Sequence, residues 1–141
     1  MILPIIAYGD PVLRKVATDI TKDYTNLETL IENGVVSITN ILIAPQIGLA
    51  IRMFVIDTTP FSDDEDLSPE EQKALNGFKK VFINAKIEEE TGEEWSFNEG
   101  CLSIPDIRED VSRKGTIKIS YLDENFNQKS ETYNGLLARV I

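Results

Sequence analysis

Cys101 is the only cysteine of this 141-residue chain, and the chain contains no histidine. A cysteine acts as a nucleophile or a metal ligand through its thiolate, which an adjacent histidine often helps to form. Ser103, two residues further on, has no histidine base either, so a serine-based catalytic arrangement is excluded. Considered alone, a lone cysteine is more often a small buried apolar residue than a ligand.

The other residues that are capable of chemistry lie in two short stretches, "EGCLS" around Cys101 and "APQIG" around Gln46. Gln46 in isolation is equally compatible with an amide that caps a loop. Arg108 and Arg113, downstream of the cysteine, are each compatible with ordinary surface charge. We expect the Glu99 carboxylate to bond to nearby backbone or to an arginine, and not to shuttle protons. These residues predict a site only if the fold brings them together.

The composition limits the protein classes that fit. The chain is 42% hydrophobic with a net charge of -10, which predicts one domain over residues 1–141 and argues against DNA or RNA as a partner. The helix and strand signals described below predict that this domain is α+β, with mostly antiparallel strands. No stretch reaches the roughly 20 apolar residues that cross a bilayer, and residues 1–7 lack the features of a signal peptide. We therefore expect a cytoplasmic protein without a membrane partner.

The first half of the chain predicts short helices and two strands. Asp10 followed by proline predicts a capped helical turn, and apolar residues at helical spacing from residue 24 predict an amphipathic helix. Gly34 is expected to interrupt that helix, because a β-branched run that favours extended chain follows it. Residues 51–57 and 80–87 predict strands, and Ser68 begins a capping box after an acidic loop.

The second half of the chain predicts antiparallel hairpins. Thr91 and Gly92 suggest one turn, and residues 116–133 suggest another hairpin that turns at residues 123–125. The closing "NGLLARVI" begins like a helix capped by Asn134, with an apolar stripe and no termination signal before Ile141. We interpret that end as lying inside an element.

Together, "EGCLS", "APQIG" and "GLLARVI" resemble the peptide deformylase family, and the resemblance covers essentially the whole chain. It implies a metal hydrolase that removes the N-formyl group from the N-terminal methionine of nascent proteins. It also implies a fold in which mostly antiparallel sheets pack around a helix carrying an HExxH motif. Formyl-methionyl peptides are the implied partner.

The resemblance implies a role for each matching residue. In the family a cysteine, here Cys101, and two histidines hold Fe(2+), or zinc or nickel in its place, together with a water that the glutamate of HExxH deprotonates. The Gln46 side chain and the Leu102 backbone N–H would hold the developing oxyanion. The residues implied in substrate binding are Ile41, Glu99, Gly100 and Arg108.

Two departures from the family pattern bear on activity. The family's HExxH motif follows a stretch like "GLLARVI", whereas these 141 residues contain no histidine. One thiol cannot hold a hydrolytic metal, which needs about three protein ligands, so we expect no bound metal and an inactive form with its central helix cut short. The family's first motif carries two glycines where residues 39–43 read "TNILI", with Ile41 at the second glycine and a shorter span before "APQ".

Three interpretations follow from these departures. The chain is a deformylase that is incomplete at its C-terminus, a catalytically inactive homologue that serves as a binding or regulatory module, or an enzyme completed by a partner chain. The sequence favours the first, and the altered "TNILI" favours the second over simple truncation. Loss of a central helix would uncover apolar surface, so we also expect association into a homo-oligomer.

Overall fold

The computed structural model describes residues 4–37, 41–101 and 103–141, with the side chains of residues 33–37 left out. Five antiparallel strands form one sheet in the order β1-β2-β3-β4-β5. The strands are β1 (Ile41–Ile43), β2 (Met53–Asp57), β3 (Lys79–Cys101), β4 (Ile104–Leu122) and β5 (Gln128–Asn134). The helices are α1 (Leu27–Ser37), α2 (Pro69–Leu75) and α3 (Gly135–Val140). The predicted α+β class with mostly antiparallel strands is confirmed.

The sheet separates two apolar clusters. Successive residues of a strand point to opposite faces, so Val55 and Val81 belong to one cluster and Ile56 and Phe82 to the other. Tyr24 and Ile31, from α1 and the segment before it, pack on the first cluster. The end of α3 packs on the second cluster, through Val140 and Ile141. Each face of the sheet therefore has its own helical cover, and neither α1 nor α3 is long enough and apolar enough to cross a membrane.

The long β3–β4 hairpin is the main element that positions the candidate site. Its strands pair from Ile83 and Leu122 at one end to Cys101 and Ile104 at the tip. The turn predicted at Thr91 and Gly92 is wrong, because β3 runs straight through these residues. Gly92 instead adopts a left-handed φ of 81° inside an irregular stretch of the pairing, which is the conformation of a bulge.

Several local predictions are confirmed. The Asp10 side chain accepts a hydrogen bond from the Val12 N–H at the start of a short 3-10 turn. Ser68 and Glu71 form the predicted reciprocal capping box before α2. The predicted strands at residues 51–57 and 80–87 lie in β2, which begins at Met53, and in β3.

Two helix predictions need correction. Gly34 does not interrupt α1, which continues to Ser37, because one interior glycine costs only about 1 kcal/mol relative to alanine. Asn134 precedes α3 as predicted, but its side chain makes no capping bond. That side chain instead accepts a hydrogen bond from Thr116 Oγ1 at 2.9 Å. Residues 38–40 lie outside the described part of the chain.

Candidate functional site

Gln46 and Cys101 lie next to each other although 55 residues separate them in the sequence. The Gln46 Nε2 group is 4.0 Å from the Cys101 Sγ atom. Gln46 is buried in a 3-10 turn after β1, whereas Cys101 is exposed at the end of β3. Cys101 is therefore not the small buried apolar residue that a lone cysteine often is.

The Gln46 side chain is held by the strand before it. Its Oε1 atom accepts a hydrogen bond from the Ile43 N–H at 3.1 Å, so the amide caps its own turn. Gly48 closes that turn with a left-handed φ of 86°. With the oxygen engaged by backbone, the NH2 group of Gln46 is the end that faces Cys101. Gln46 thus both caps a loop and reaches the thiol.

The N-terminal segment joins the two motifs through the backbone. The Ile6 N–H donates to the Gln46 carbonyl at 2.7 Å, and the Tyr8 N–H donates to the Ser103 carbonyl at 2.8 Å. Ser103 is buried, and its Oγ atom has no hydrogen-bond partner among the described residues. Leu102, the residue expected to supply a backbone N–H, lies outside the described part of the chain.

Two arginines hold the Glu99 carboxylate. The Nε of Arg113 and the Nη1 of Arg139 each lie 2.7 Å from Glu99 Oε1, and the Nη2 of Arg113 donates to Oε2 at 2.8 Å. The hydrogen bonds from Arg113, joined by those from Arg139, lower the pKa of Glu99 to about 2 against an opposing effect of partial burial. Glu99 is therefore a fixed anion that bonds to arginine, as the sequence predicts.

Arg108 lies across the strand that carries Cys101. Its Nε donates to Asn98 Oδ1 at 2.7 Å, and Asn98 Nδ2 donates to Asp110 Oδ1 at 2.9 Å. A Cβ atom on Gly100 would lie 3.0 Å from Arg108 Nη1, which is closer than nearly all real Cβ contacts. Glycine at this position therefore lets the guanidinium group lie against the strand without the small displacement that a Cβ atom would require.

Ile41 begins β1 at one edge of the sheet. It pairs with Ile56 of β2, and no described strand pairs with the other side of β1. The Ile41 side chain packs against the cluster that contains Phe82. The structure thus brings Gln46 and Cys101 together, places Glu99 and Arg108 on the strands next to the hairpin tip, and places Ile41 in the edge strand β1.

The residues present do not fit a resident metal ion. Over residues 4–37, 41–101 and 103–141, no group of three or more histidine, cysteine, aspartate or glutamate side chains comes together. Cys101 is one donor, and its hydrogen-bond partner among the described side chains is the neutral amide of Gln46. Catalytic metal sites need about three protein ligands, so these residues alone supply too few.

Arg139 and Trp95 were not identified from the sequence as part of this region. The Arg139 guanidinium lies 4.1 Å from the centre of the Trp95 ring and donates to the Val111 carbonyl at 2.9 Å. An arginine among the apolar residues of "GLLARVI" is a signal that a buried charge needs a partner. The sequence alone could not identify Glu99, 40 residues away, as that partner.

Comparison with known proteins finds similar sequences and structures over almost the whole chain. The family model described as polypeptide deformylase matches residues 2–141. The peptide deformylase of Flavobacterium johnsoniae is 65% identical over 100% of this chain and 74% of its own length. The corresponding protein of Christiangramia forsetii is 60% identical over 100% of this chain and 74% of its own length. The crystal structure of peptide deformylase from Thermotoga maritima has a TM-score of 0.81 at 31% identity, covering 99% of this chain and 86% of that one.

Proposed function

Because the chain belongs to the polypeptide deformylase family, we propose that it contributes the thiol and amide groups of a site that removes the N-formyl group from the N-terminal methionine of nascent proteins. The family assignment supports the hydrolase class and formylated peptides as substrates. Residue roles rest on the motifs that this chain shares with the family. The proposal includes a cytoplasmic location, where newly made chains would be met.

The observation that carries the proposal is the 4.0 Å approach of Gln46 Nε2 to Cys101 Sγ. The two residues come from separate motifs, and each motif is held in place by backbone hydrogen bonds to the N-terminal segment. A hydrogen bond from an amide NH2 group to a thiol contributes little to the stability of the fold, because the thiol is a weak acceptor. The arrangement instead suits a site in which the amide donates to a substrate oxygen.

Gln46 would stabilise the negative charge that develops on the formyl oxygen. Its Oε1 is already bonded to the Ile43 N–H, so Nε2 is oriented before the substrate arrives. A preorganised donor of this kind contributes about 10²–10³ in rate. The backbone N–H of Leu102 is the second proposed donor. Cys101 is the proposed thiolate ligand of the Fe(2+), zinc or nickel ion that the family resemblance implies.

The peptide substrate would lie along the free edge of β1. An extended peptide can add to a sheet edge through main-chain hydrogen bonds, and β1 presents its three residues without a described neighbour on that side. Ile41 at the edge, with Glu99 and Gly100 near the hairpin tip, would border the bound chain. Arg108 is exposed and would contact the peptide beyond its first residue.

We further propose that the 141-residue polypeptide does not hydrolyse formyl peptides by itself. It contains no histidine and one cysteine, so a polypeptide of this sequence supplies one thiol ligand and no general base of the HExxH type. The remaining groups would have to come from an additional segment or a partner chain.

The test compares the 141-residue polypeptide with the same polypeptide extended by the histidine-bearing helix of a family member. Metal content by elemental analysis and formate release are measured on each preparation, with Cys101→Ser in both backgrounds as the matched control. We expect no stoichiometric metal and no formate from the shorter form, and both from the extended form when Cys101 is present. Formate release by the 141-residue form that disappears in Cys101→Ser would overturn the proposal of inactivity.

A second candidate function is peptide binding without hydrolysis, as in a catalytically inactive homologue. The observation that favours it is Ile41, a bulky residue at the edge strand where the family has a glycine. The alignments to the relatives span 145 positions for 141 residues, so those relatives carry at least four residues without a counterpart here. An extended form that binds metal and formyl-methionyl peptide but releases no formate would favour this candidate.

Association into a homo-oligomer is also part of the proposal. Leu136, Leu137, Val140 and Ile141 are half-buried, and Tyr8 is among the exposed large apolar residues. Apolar surface that is left partly uncovered favours association. Light scattering on the 141-residue polypeptide should report a species larger than a monomer, and a monodisperse monomer would contradict this expectation.

A further inference from the structure

Arg139 is the most completely enclosed charged side chain of the candidate region. Only 3% of its side-chain surface is exposed, compared with 51% for Arg113, which contacts the same carboxylate. Nη1 lies 2.7 Å from Glu99 Oε1 and 2.9 Å from the Val111 carbonyl, and Nη2 donates to the Trp95 carbonyl. Its guanidinium carbon lies 4.1 Å from the centre of the Trp95 ring. One side chain of α3 thus contacts both strands of the β3–β4 hairpin.

The contacts of Arg139 follow one face of β3 toward the thiol. Trp95, Phe97 and Glu99 are alternate residues of the strand, and alternate residues share a face. Cys101 lies two residues beyond the carboxylate that Arg139 binds, just past an irregularity of the pairing between Gly100 and Cys101. Arg139 therefore connects α3 to the part of the strand that ends in the thiol.

A buried ion pair of this kind is weak evidence for a role in stability. Burying an ion pair costs desolvation that can equal or exceed the attraction between the charges, and apolar replacements of such pairs are often neutral. Arg139 Nε is buried and has no hydrogen-bond partner among the described residues, which adds a further cost. What the arrangement does supply is strict geometry, because a planar guanidinium that bonds three acceptors and lies over a ring fixes its helix in one position.

We propose that Arg139 is a positioning residue, which fixes the placement of α3 relative to Cys101 by binding Glu99 and the backbone of the hairpin. The proposal rests on the proposed function in taking Cys101 as the centre of the site. Arg113 has a different role, because it binds Glu99 from β4 and no hydrogen bond or ion pair in the described part of the chain joins it to α3.

The single cysteine allows a direct test on the 141-residue chain. A nitroxide spin label on Cys101, which is exposed and unique, broadens the NMR signals of nearby backbone amides according to their distance from it. The broadening of the α3 amide signals is then measured in the wild type, in Arg139→Met, and in the matched control Arg113→Met. Both variants remove one arginine from Glu99, but only the first removes the contact with α3.

We expect Arg139→Met to lose the defined broadening pattern across α3 and the hydrogen-exchange protection of the Ile141 N–H, which donates to the Leu137 carbonyl. Arg113→Met should keep both. Arg139→Lys keeps the charge but has no planar fork, so it should recover only part of the pattern, and it serves as the test variant if Arg139→Met does not fold.

Urea unfolding of the same proteins separates positioning from stability. The proposal predicts that the α3 pattern is lost in Arg139→Met even where its free energy of unfolding matches that of Arg113→Met. An unchanged α3 pattern in Arg139→Met, with or without a lower stability, would overturn the positioning role. None of these measurements requires metal or hydrolysis, so their failure is distinguishable from a failure of the proposed enzymatic function.

Discussion

The side chain of Asn84 forms hydrogen bonds with both the backbone N–H and the backbone carbonyl of Ile20, which lies 64 residues earlier in the sequence. Asn84 Oδ1 accepts from the Ile20 N–H at 2.9 Å, and Nδ2 donates to the Ile20 carbonyl at 2.8 Å. Asn84 itself has a left-handed φ of 51° in the irregular stretch of β3 between Ile83 and Lys86. One residue thus attaches the N-terminal segment to the central strand while bending that strand.

Replacing Asn84 should destabilise the fold in two ways, through the loss of its hydrogen bonds to Ile20 and through the left-handed backbone conformation at this position. Asn84→Ala leaves the buried Ile20 peptide without partners, at about 1–3 kcal/mol, and adds the left-handed strain of about 1–2 kcal/mol. Asn84→Gly loses the hydrogen bonds but tolerates the backbone conformation, so it should be no less stable than Asn84→Ala despite its freer unfolded chain. Urea unfolding measures both, and an unaffected Asn84→Ala would contradict the assignment.

Gln46 should contribute to stability as well as to the site. Gln46→Leu leaves the Ile43 N–H without its acceptor, and we expect the free energy of unfolding to fall by about 1–3 kcal/mol. The control is Gln72→Leu, which removes an exposed amide bonded to the Asp64 carbonyl and should change stability by less than about 0.5 kcal/mol. Equal effects in the two variants would show that the Gln46 cap is not structurally significant.

Stability should decrease in acid through Glu131. Partial burial works to raise the pKa of Glu131, but hydrogen bonds from Lys80, Tyr121 and Tyr133 outweigh it and hold the pKa at about 2, below its ordinary value of 4.5. A lowered pKa in the folded state means stability that is present above pH 4.5 and is lost as pH falls from 4.5 toward 2.

The measurement is urea unfolding between pH 6 and pH 2 in the wild type and in Glu131→Gln. The variant should lose stability at pH 6 and show a shallower decline below pH 4.5, because it has no carboxylate to protonate there. The Lys80 amine, 2.8 Å from Glu131 Oε2, is the main partner, so Lys80→Met should give a similarly shallow decline. Parallel pH profiles in all three proteins would contradict this role.

Phe82 should be among the most costly core positions. It is fully buried, stacks on Phe54 with ring centres 4.7 Å apart, and contacts Tyr121 at 4.4 Å. Phe82→Ala should lower the free energy of unfolding by about 3–5 kcal/mol, a large part of the stability of a small domain. The partly exposed Phe61, truncated in the same way, provides the comparison and should cost much less.

The sequence predicts the elements well where a local signal determines them. The Ser68 capping box, the Asp10 cap, strand β2 and the alternating end of β4 from residue 116 follow from residue types within a few positions. Thr91 and Gly92 show the limit, because a glycine with positive φ serves a bulge as readily as a turn. Which of the two forms depends on the pairing of distant residues.

In the candidate site, too, the sequence predicts local features but not the contacts between distant residues. The motifs around Gln46 and Cys101 are identifiable from the sequence, because their residue types match a known family. Their 4.0 Å approach and the enclosure of Arg139 depend on contacts across 55 and 40 residues. Spacing along the chain carries no information about such distances, so the sequence could not predict that Arg139 contacts the site.

The tip of the β3–β4 hairpin has a consequence for the order of folding. Cys101 pairs with Ile104, so this long hairpin can close from its own tip with little loop entropy to overcome. The contacts of Gln46 with Cys101 and of Asn84 with Ile20 close loops of more than 50 residues. We therefore expect the β3–β4 hairpin, with Cys101 at its tip, to form early in folding. The Gln46 amide would reach Cys101 only later, when the N-terminal third of the chain packs against the sheet.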